Sequence, residues 1–282
     1  MGRESSAPCP ASPYNQLYIY YFEGRLASPF ESFGTAFIGN WEEGDTSFLF
    51  FSEPADETIH RLVADQPHLV LADRFCMTYD QWHGEPVEPF RTGRFFIMPP
   101  WKQTPVREAD VPVILDPGVV FGAGSHPTTR DCLEAIEMLM LWQGEPVSST
   151  LDLGTGTGLL AIAAARLGSR RIIAVDNNFL AARTARKNVG LNNLEDRVSI
   201  VCGLAEDFLE PAADLLIANI HYDVMKQLIV RPGFLRKKWF ILSGLLRTEA
   251  GLIESALSQL PVTLVEKWVK DGVWHTLFGR IG

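Results

Sequence analysis

The chain has 282 residues, 46% of them hydrophobic, and 34 acidic against 25 basic side chains give a formal net charge of −9 at pH 7. That size and apolar content suit one large domain or two ordinary ones, each burying a core. The acidic balance counts against a broad electrostatic footprint for DNA or RNA and leaves a basic partner plausible.

The four cysteines, Cys9, Cys76, Cys132 and Cys202, lack C-x-x-C spacing, so neither a metal site nor a disulfide framework is indicated and a reducing compartment fits. No apolar run approaches a membrane span, and the first residues lack the basic flank and apolar core of a secretory signal. A soluble, cytoplasmic protein with no membrane partner is expected. Met1 to Ser6 formally fits a myristoylation pattern, but the Ser/Pro-rich stretch Ser5 to Pro13 makes residues 1–13 read as a disordered tail.

Residues 14–80 read as a small α+β module. Gln16 to Phe22 is a β-branched and aromatic run, so it is taken as a strand. Phe37 to Trp41 and Ser47 to Phe51 flank Glu42-Glu43-Gly44-Asp45, whose glycine and acids supply the chemistry of a hairpin turn. Pro54 suits a first helical position, and Ile59, Leu62 and Val63 recur at helical spacing through Asp65. Phe75 to Tyr79 is a further candidate strand. The module carries no catalytic cluster, which leaves recognition as its expected task. From residue 81 to 110, five prolines exclude long helices and suggest a connector, with Phe95 to Met98 as one strand.

The large domain is expected over residues 111–282. Its centre is Leu151-Asp152-Leu153-Gly154-Thr155-Gly156-Thr157-Gly158, an apolar strand entering a glycine turn and then a helix, Leu159 to Leu167. Glycines at 154, 156 and 158 let the backbone turn with positive φ and let a ligand approach main-chain N–H groups. A dinucleotide fingerprint needs its third glycine at position 159, where this chain has Leu159. The pattern D-x-G-x-G-x-G instead resembles the first motif of Rossmann-like methyltransferases, which bind S-adenosylmethionine. Asp176 ends the next strand, Arg171 to Asp176, and is placed to accept both ribose hydroxyls.

Beyond it come helix Phe179 to Gly190, strand Val198 to Val201, strand Asp214 to Ile220, helix Asp223 to Ile229, strand Trp239 to Ser243 and helix Glu249 to Leu260. Thr263 to Val269 and Val273 to Arg280 close the chain as a hairpin across Lys270-Asp271-Gly272. The expected class is therefore α/β, a doubly wound sheet with an antiparallel C-terminal hairpin, preceded by the small α+β module.

Upstream, Asp116-Pro117-Gly118 leads into Phe121-Gly122-Ala123-Gly124-Ser125-His126-Pro127-Thr128-Thr129, and Thr129 followed by Asp131 marks a helix entry whose N–H groups suit a carboxylate. These two stretches, the 152–158 turn and Ala218-Asn219-Ile220 together resemble the ribosomal protein L-eleven methyltransferase (PrmA) family. Members typically carry threonine where this chain has Ala123 and Ser125. The resemblance implies a protein methyltransferase that moves methyl groups from S-adenosylmethionine to amino nitrogens of a basic ribosomal protein of the large subunit, chiefly on lysine. It places Thr129, Gly154, Asp176 and Asn219 on cofactor-binding positions, with Asp152, Gly156 and Gly158 completing the turn. Asn219 is suited to orient the acceptor amine as well, although a strand-end turn residue is its plainer reading. His126 is open between proton handling and bracing its loop. Another protein lysine, a nucleic-acid base or a small amine remains an alternative acceptor, and a non-catalytic scaffold an alternative role.

Overall fold

The structure, a computed structural model, describes residues 12–27, 33–102, 104–141 and 146–282. The tail expected at residues 1–13 therefore lies almost wholly outside the described residues. The chain divides into two compact units, residues 1–88 and 89–282.

In the first unit, strands β1 (Gln16–Glu23), β2 (Phe37–Glu43), β3 (Thr46–Phe51) and β4 (Val70–Thr78) form an antiparallel sheet in the order β2-β3-β1-β4. The expected hairpin is β2-β3, with Gly44 at φ 57 in its turn. One face of the sheet sets Tyr20, Phe22, Leu49 and Phe51 against Ile59 and Leu62 of helix α1 (Asp56–Asp65), an apolar stripe at helical spacing. β4 starts five residues before the strand expected at Phe75. Its charged Asp73 and Arg74 and its largely exposed side chains are those of an edge strand, where alternation of apolar and polar residues is not enforced. Tyr79 belongs not to a strand but to the one-turn helix α2 (Tyr79–His83), whose start is fixed by reciprocal Thr78 and Gln81 caps.

The expected connector does not exist as one piece. The second unit begins at Pro89, and β5 (Phe90–Thr92), β6 (Phe95–Met98) and β7 (Val111–Ile114) form a three-stranded sheet with β6 and β7 parallel. Phe95 and Ile97 sit in the unit's main core. Prolines exclude helices, but they leave short strands free to pair.

The seven-stranded sheet has the order β10-β9-β8-β11-β12-β14-β13, made of β8 (Ser149–Leu153), β9 (Arg171–Asp176), β10 (Val198–Cys202), β11 (Ala213–Asn219), β12 (Lys237–Leu246), β13 (Val262–Lys270) and β14 (Trp274–Ile281). The first five run parallel and β14 pairs antiparallel with β12 and β13, giving the doubly wound sheet with its antiparallel closing hairpin. Helices cover both faces, so the central strands are apolar on both sides. Leu215 and Ile217 of β11 face the core shared with α3 (Pro127–Leu141), α4 (Leu159–Arg166) and α5 (Phe179–Leu191). Leu216 and Ala218 face the core shared with α6 (Tyr222–Leu228) and α7 (Arg247–Leu257). Strand order reverses between β8 and β11, and at such a point the carboxyl ends of the strands leave a crevice for a ligand.

Candidate functional site

β8 delivers the chain into a turn in which Gly154 (φ 72), Gly156 (φ 55) and Gly158 (φ 84) all occupy the left-handed region that side chains disfavour. Space also requires them. A Cβ on Gly154 would fall 2.1 Å from Ile220 Cγ2, one on Gly156 would fall 2.7 Å from the Phe121 carbonyl oxygen, and one on Gly158 would fall 3.2 Å from Ala185 Cβ. The first two glycines thus lie under the end of β11 and under the loop that precedes α3, while the third lets α4 and α5 approach.

The turn's N–H groups are less open than the glycine pattern suggests. Gly154 and Thr155 donate to the Val175 carbonyl at 2.8 and 3.0 Å, Gly158 donates to Thr155 at 2.9 Å, and Gly156 donates to Asp176 Oδ2 at 2.9 Å. These N–H groups are therefore spent within the protein, and the glycines serve the close approach of Ile220, Phe121 and Ala185.

Asp176 stands at the end of β9, 8% exposed, with Oδ1 accepting the Asn178 N–H at 2.9 Å. Each oxygen holds one backbone donor and keeps acceptor capacity for another. Burial raises its pKa, opposed by the two backbone hydrogen bonds. Asp152 lies deeper, 1% exposed, and accepts from Thr155 Oγ1 at 2.6 Å. Burial pushes its pKa up to about 7. It lies beneath the turn and holds Thr155, and the charge of Asp176 raises its pKa further.

Thr129 falls inside the first turn of α3, and its N–H donates to the His126 carbonyl at 3.1 Å, so the open donor expected there is engaged. Its Oγ1 receives Asn219 Nδ2 at 3.5 Å. The fold thereby brings together two candidates separated by 90 positions in the chain. The oxygen of the Asn219 amide rests against Gly244, where a Cβ would meet it at 3.2 Å.

His126 Nδ1 contacts Thr128 Oγ1 at 2.7 Å and accepts the Thr128 N–H at 3.4 Å, while its ring meets Trp274 edge-on with centroids 4.8 Å apart. Desolvation lowers its pKa. Those contacts tie the ring to the start of α3 and to Trp274.

Several supporting residues carried no readable signal. Asn188 of α5 accepts the Asp116 N–H at 2.9 Å and donates to the carbonyls of Asp116 and Thr157 at 2.9 and 2.8 Å, joining the D-P-G segment to the glycine turn. Thr157 Oγ1 donates to the Gly122 carbonyl at 2.7 Å. Lys187 Nζ lies 2.6 Å from Asp116 Oδ2. Phe179, 61% exposed, follows Asp176 by three residues, and Leu204, 55% exposed, follows the end of β10 by two, so both present apolar surface at the carboxyl edge of the sheet. Among the described residues, no group of three or more His, Cys, Asp or Glu is arranged to hold a metal ion. No helix among them is long and apolar enough to cross a membrane.

The family described as ribosomal protein L11 methyltransferase (PrmA) matches residues 78–281. A ribosomal protein L11 methyltransferase of Pelotomaculum thermopropionicum is 35% identical over 201 residues, 69% of this chain and 62% of that protein. Its counterpart in Desulfitobacterium hafniense is 37% identical over 196 residues, 68% of this chain and 61% of that protein. The chain thus spans less than two thirds of the length of these curated relatives. A crystal structure of the ribosomal protein L11 methylase from Lactobacillus delbrueckii subsp. bulgaricus superposes with a TM-score of 0.61 at 27% identity, covering 69% of this chain and all of the other.

Proposed function

We infer the function from one premise: the chain belongs to the ribosomal protein L11 methyltransferase (PrmA) family. On it, the protein moves methyl groups from S-adenosylmethionine to amino nitrogens of a protein, chiefly lysine side chains. The substrate is a basic ribosomal protein of the large subunit, which puts the work in the cytoplasm.

The observation that carries the reading is Asp176, a buried carboxylate with one backbone donor on each oxygen, tied to a glycine turn packed too closely to accept a side chain. The residues present fit the cofactor. Asp176 would take the ribose hydroxyls, Phe179 and Leu204 would flank the adenine, and Thr129 with Asn219 would hold the methionyl end. The cofactor supplies a methyl group on a sulfonium.

What remains for the chain is to present the amine. A lysine of pKa about 10.4 is neutral in only about one part in a few thousand at pH 7, a cost of about 4–5 kcal/mol. Desolvation in the site lowers that cost, and the Asn219 oxygen would receive an amine hydrogen and aim the lone pair. Alignment of two reactants is worth roughly 7–11 kcal/mol, so positioning outweighs any acid or base here.

Charge supports a basic partner. Residues 1–88 hold fourteen of the 34 acidic side chains and four of the 25 basic ones, a net −10, which leaves +1 for residues 89–282. The acidity of the protein is that of its first unit, and substrate recognition is the role we assign to it.

The test is incubation with tritiated S-adenosylmethionine and a cytosolic extract containing ribosomal proteins, followed by identification of the labelled species. Label in a basic ribosomal protein, on amino nitrogen, is the expected result. Label in RNA, or heat on titration with NAD but none with S-adenosylmethionine, overturns the reading.

A further inference from the structure

Beneath the contact between Thr129 and Asn219 runs a line of buried polar groups that ligand binding itself does not require. Asp131, Ser243 and Thr276 are 0% exposed and Thr128 is 3% exposed. Thr276 Oγ1 donates to Asp131 Oδ2 at 3.3 Å and accepts from Ser243 Oγ at 2.5 Å, and Ser243 Oγ lies 3.5 Å from the Thr128 carbonyl oxygen. Lys270 Nζ stands 3.8 Å from the second Asp131 oxygen. The line crosses three elements that are remote in sequence: α3, β12 and β14.

Burying four polar groups costs stability that hydrogen bonds among them offset, and each bond fixes the placement of the next member; the second Asp131 oxygen has no hydrogen-bond partner among the described residues and faces Lys270. This network converges on one place. Ser243 is paired in register with Asn219 across β11 and β12, and its carbonyl takes the Ile220 N–H at 3.2 Å. Its side chain at the same time reaches the first turn of α3, which carries Thr129. Ser243 therefore holds the two sides of the Thr129–Asn219 contact, and Thr276 with Asp131 holds Ser243.

We propose that Thr276 and Ser243, backed by Asp131, are positioning residues that set Asn219 against Thr129 for methyl transfer. They touch neither reactant. The claim rests on the methyl-transfer reading, because Asn219 is their point of action. A displacement of about 1 Å in a reacting geometry costs on the order of a hundredfold in rate, so a hydroxyl one layer away can be visible in turnover.

Thr276→Val keeps the shape and removes the hydroxyl. The expected result is a fall in kcat of roughly ten- to a hundredfold, with S-adenosylmethionine affinity within about twofold of the parent because Asp176 and the glycine turn are untouched, and with recovery in Thr276→Ser. In the ligand-free protein, the side-chain amide protons of Asn219 shift in the NMR spectrum of Thr276→Val and return in Thr276→Ser. Should Thr276→Val not fold, Ser243→Ala is read by the same two measurements. Parental kcat in the variant, a loss that serine does not restore, or unmoved Asn219 amide signals overturns the proposal. A parent protein that transfers no methyl group refutes the methyl-transfer reading, and the amide shift still decides whether the buried line positions Asn219.

Discussion

Gly156 donates its N–H to Asp176 Oδ2 at 2.9 Å, so the glycine turn after β8 and the carboxylate after β9 are one hydrogen-bonded unit. The same carboxylate takes the Asn178 N–H at the start of α5. Asp176→Ala should consequently have two effects. Cofactor affinity should fall by about 2–4 kcal/mol with the loss of hydrogen bonds to a charged acceptor, and stability should fall by about 1 kcal/mol as two partly buried donors lose their partner. Titration calorimetry and a urea melt measure them separately. Unchanged affinity in a folded variant would remove Asp176 from the ribose site.

Gly154→Ala should impair cofactor binding through a residue other than itself. The added Cβ would meet Ile220 Cγ2 at 2.1 Å, while its positive φ of 72 costs a further ~1–2 kcal/mol. Only the collision can be relieved from outside the turn. Gly154→Ala combined with Ile220→Ala should thus recover part of the affinity lost by Gly154→Ala alone. Strict additivity of the two changes in titration would show that Ile220 does not close over the turn.

Stability should respond to pH in opposite senses at two buried groups. Asp152 has a folded pKa of about 7, above an unfolded value of about 3.9, so its contribution is complete below the unfolded pKa and is lost as pH rises through 7. His275 is 5% exposed, neither of its ring nitrogens has a hydrogen-bond partner, and desolvation lowers its pKa. Its contribution is intact above an unfolded pKa of about 6.5 and is lost as pH falls below it. Asp152→Asn should flatten the decline between pH 4 and 8, leaving the part owed to Asp131 and Asp176, whose pKa values are also raised. Denaturant melts across that range check it. An unaltered slope would mean that Asp152 is not neutral in the folded protein near pH 6.

Asn219→Ala should separate turnover from binding. Loss of the group that aims the amine should lower kcat by roughly ten- to a thousandfold, about 1.4–4 kcal/mol of barrier, with a much smaller change in cofactor affinity. His126→Ala is the control. Its contacts to Thr128 and Trp274 are structural, so its loss should cost mainly stability and leave the pH dependence of kcat unchanged. Disappearance of an ionisation near 6.5 from the pH–rate profile of His126→Ala would make the histidine the proton acceptor instead.

Removal of residues 1–88 should leave a folded protein that binds S-adenosylmethionine and no longer methylates intact protein. The remaining 89–282 unit contains the full seven-stranded sheet and every candidate site residue. Calorimetry and methylation of protein substrate read the two halves of the expectation. Undiminished methylation would refute the recognition role of the acidic unit.

The chain by itself determined the alternation of strands and helices, the glycine turn, Asp176 at the end of the second strand and Asn219 at the end of the fourth. These are local signals: apolar runs buried on both faces, turns that only glycine tolerates, and a carboxylate at a fixed offset. Ends of elements were less legible. The strand β4 lies on an edge, where charged side chains are compatible with pairing, and β6 joined a core that its proline-rich surroundings concealed. The tertiary structure alone decided which N–H groups are spent inside the turn, that Asp152 is buried against Thr155, and that His126 meets Thr128 and Trp274. It also alone brought Thr129, Asn219, Ser243, Thr276 and Asp131 into one hydrogen-bonded neighbourhood. Those contacts join residues 33 to 145 positions apart in the chain, and hydrogen-bond partnership over such separations depends on sheet register and helix placement, which no local pattern encodes.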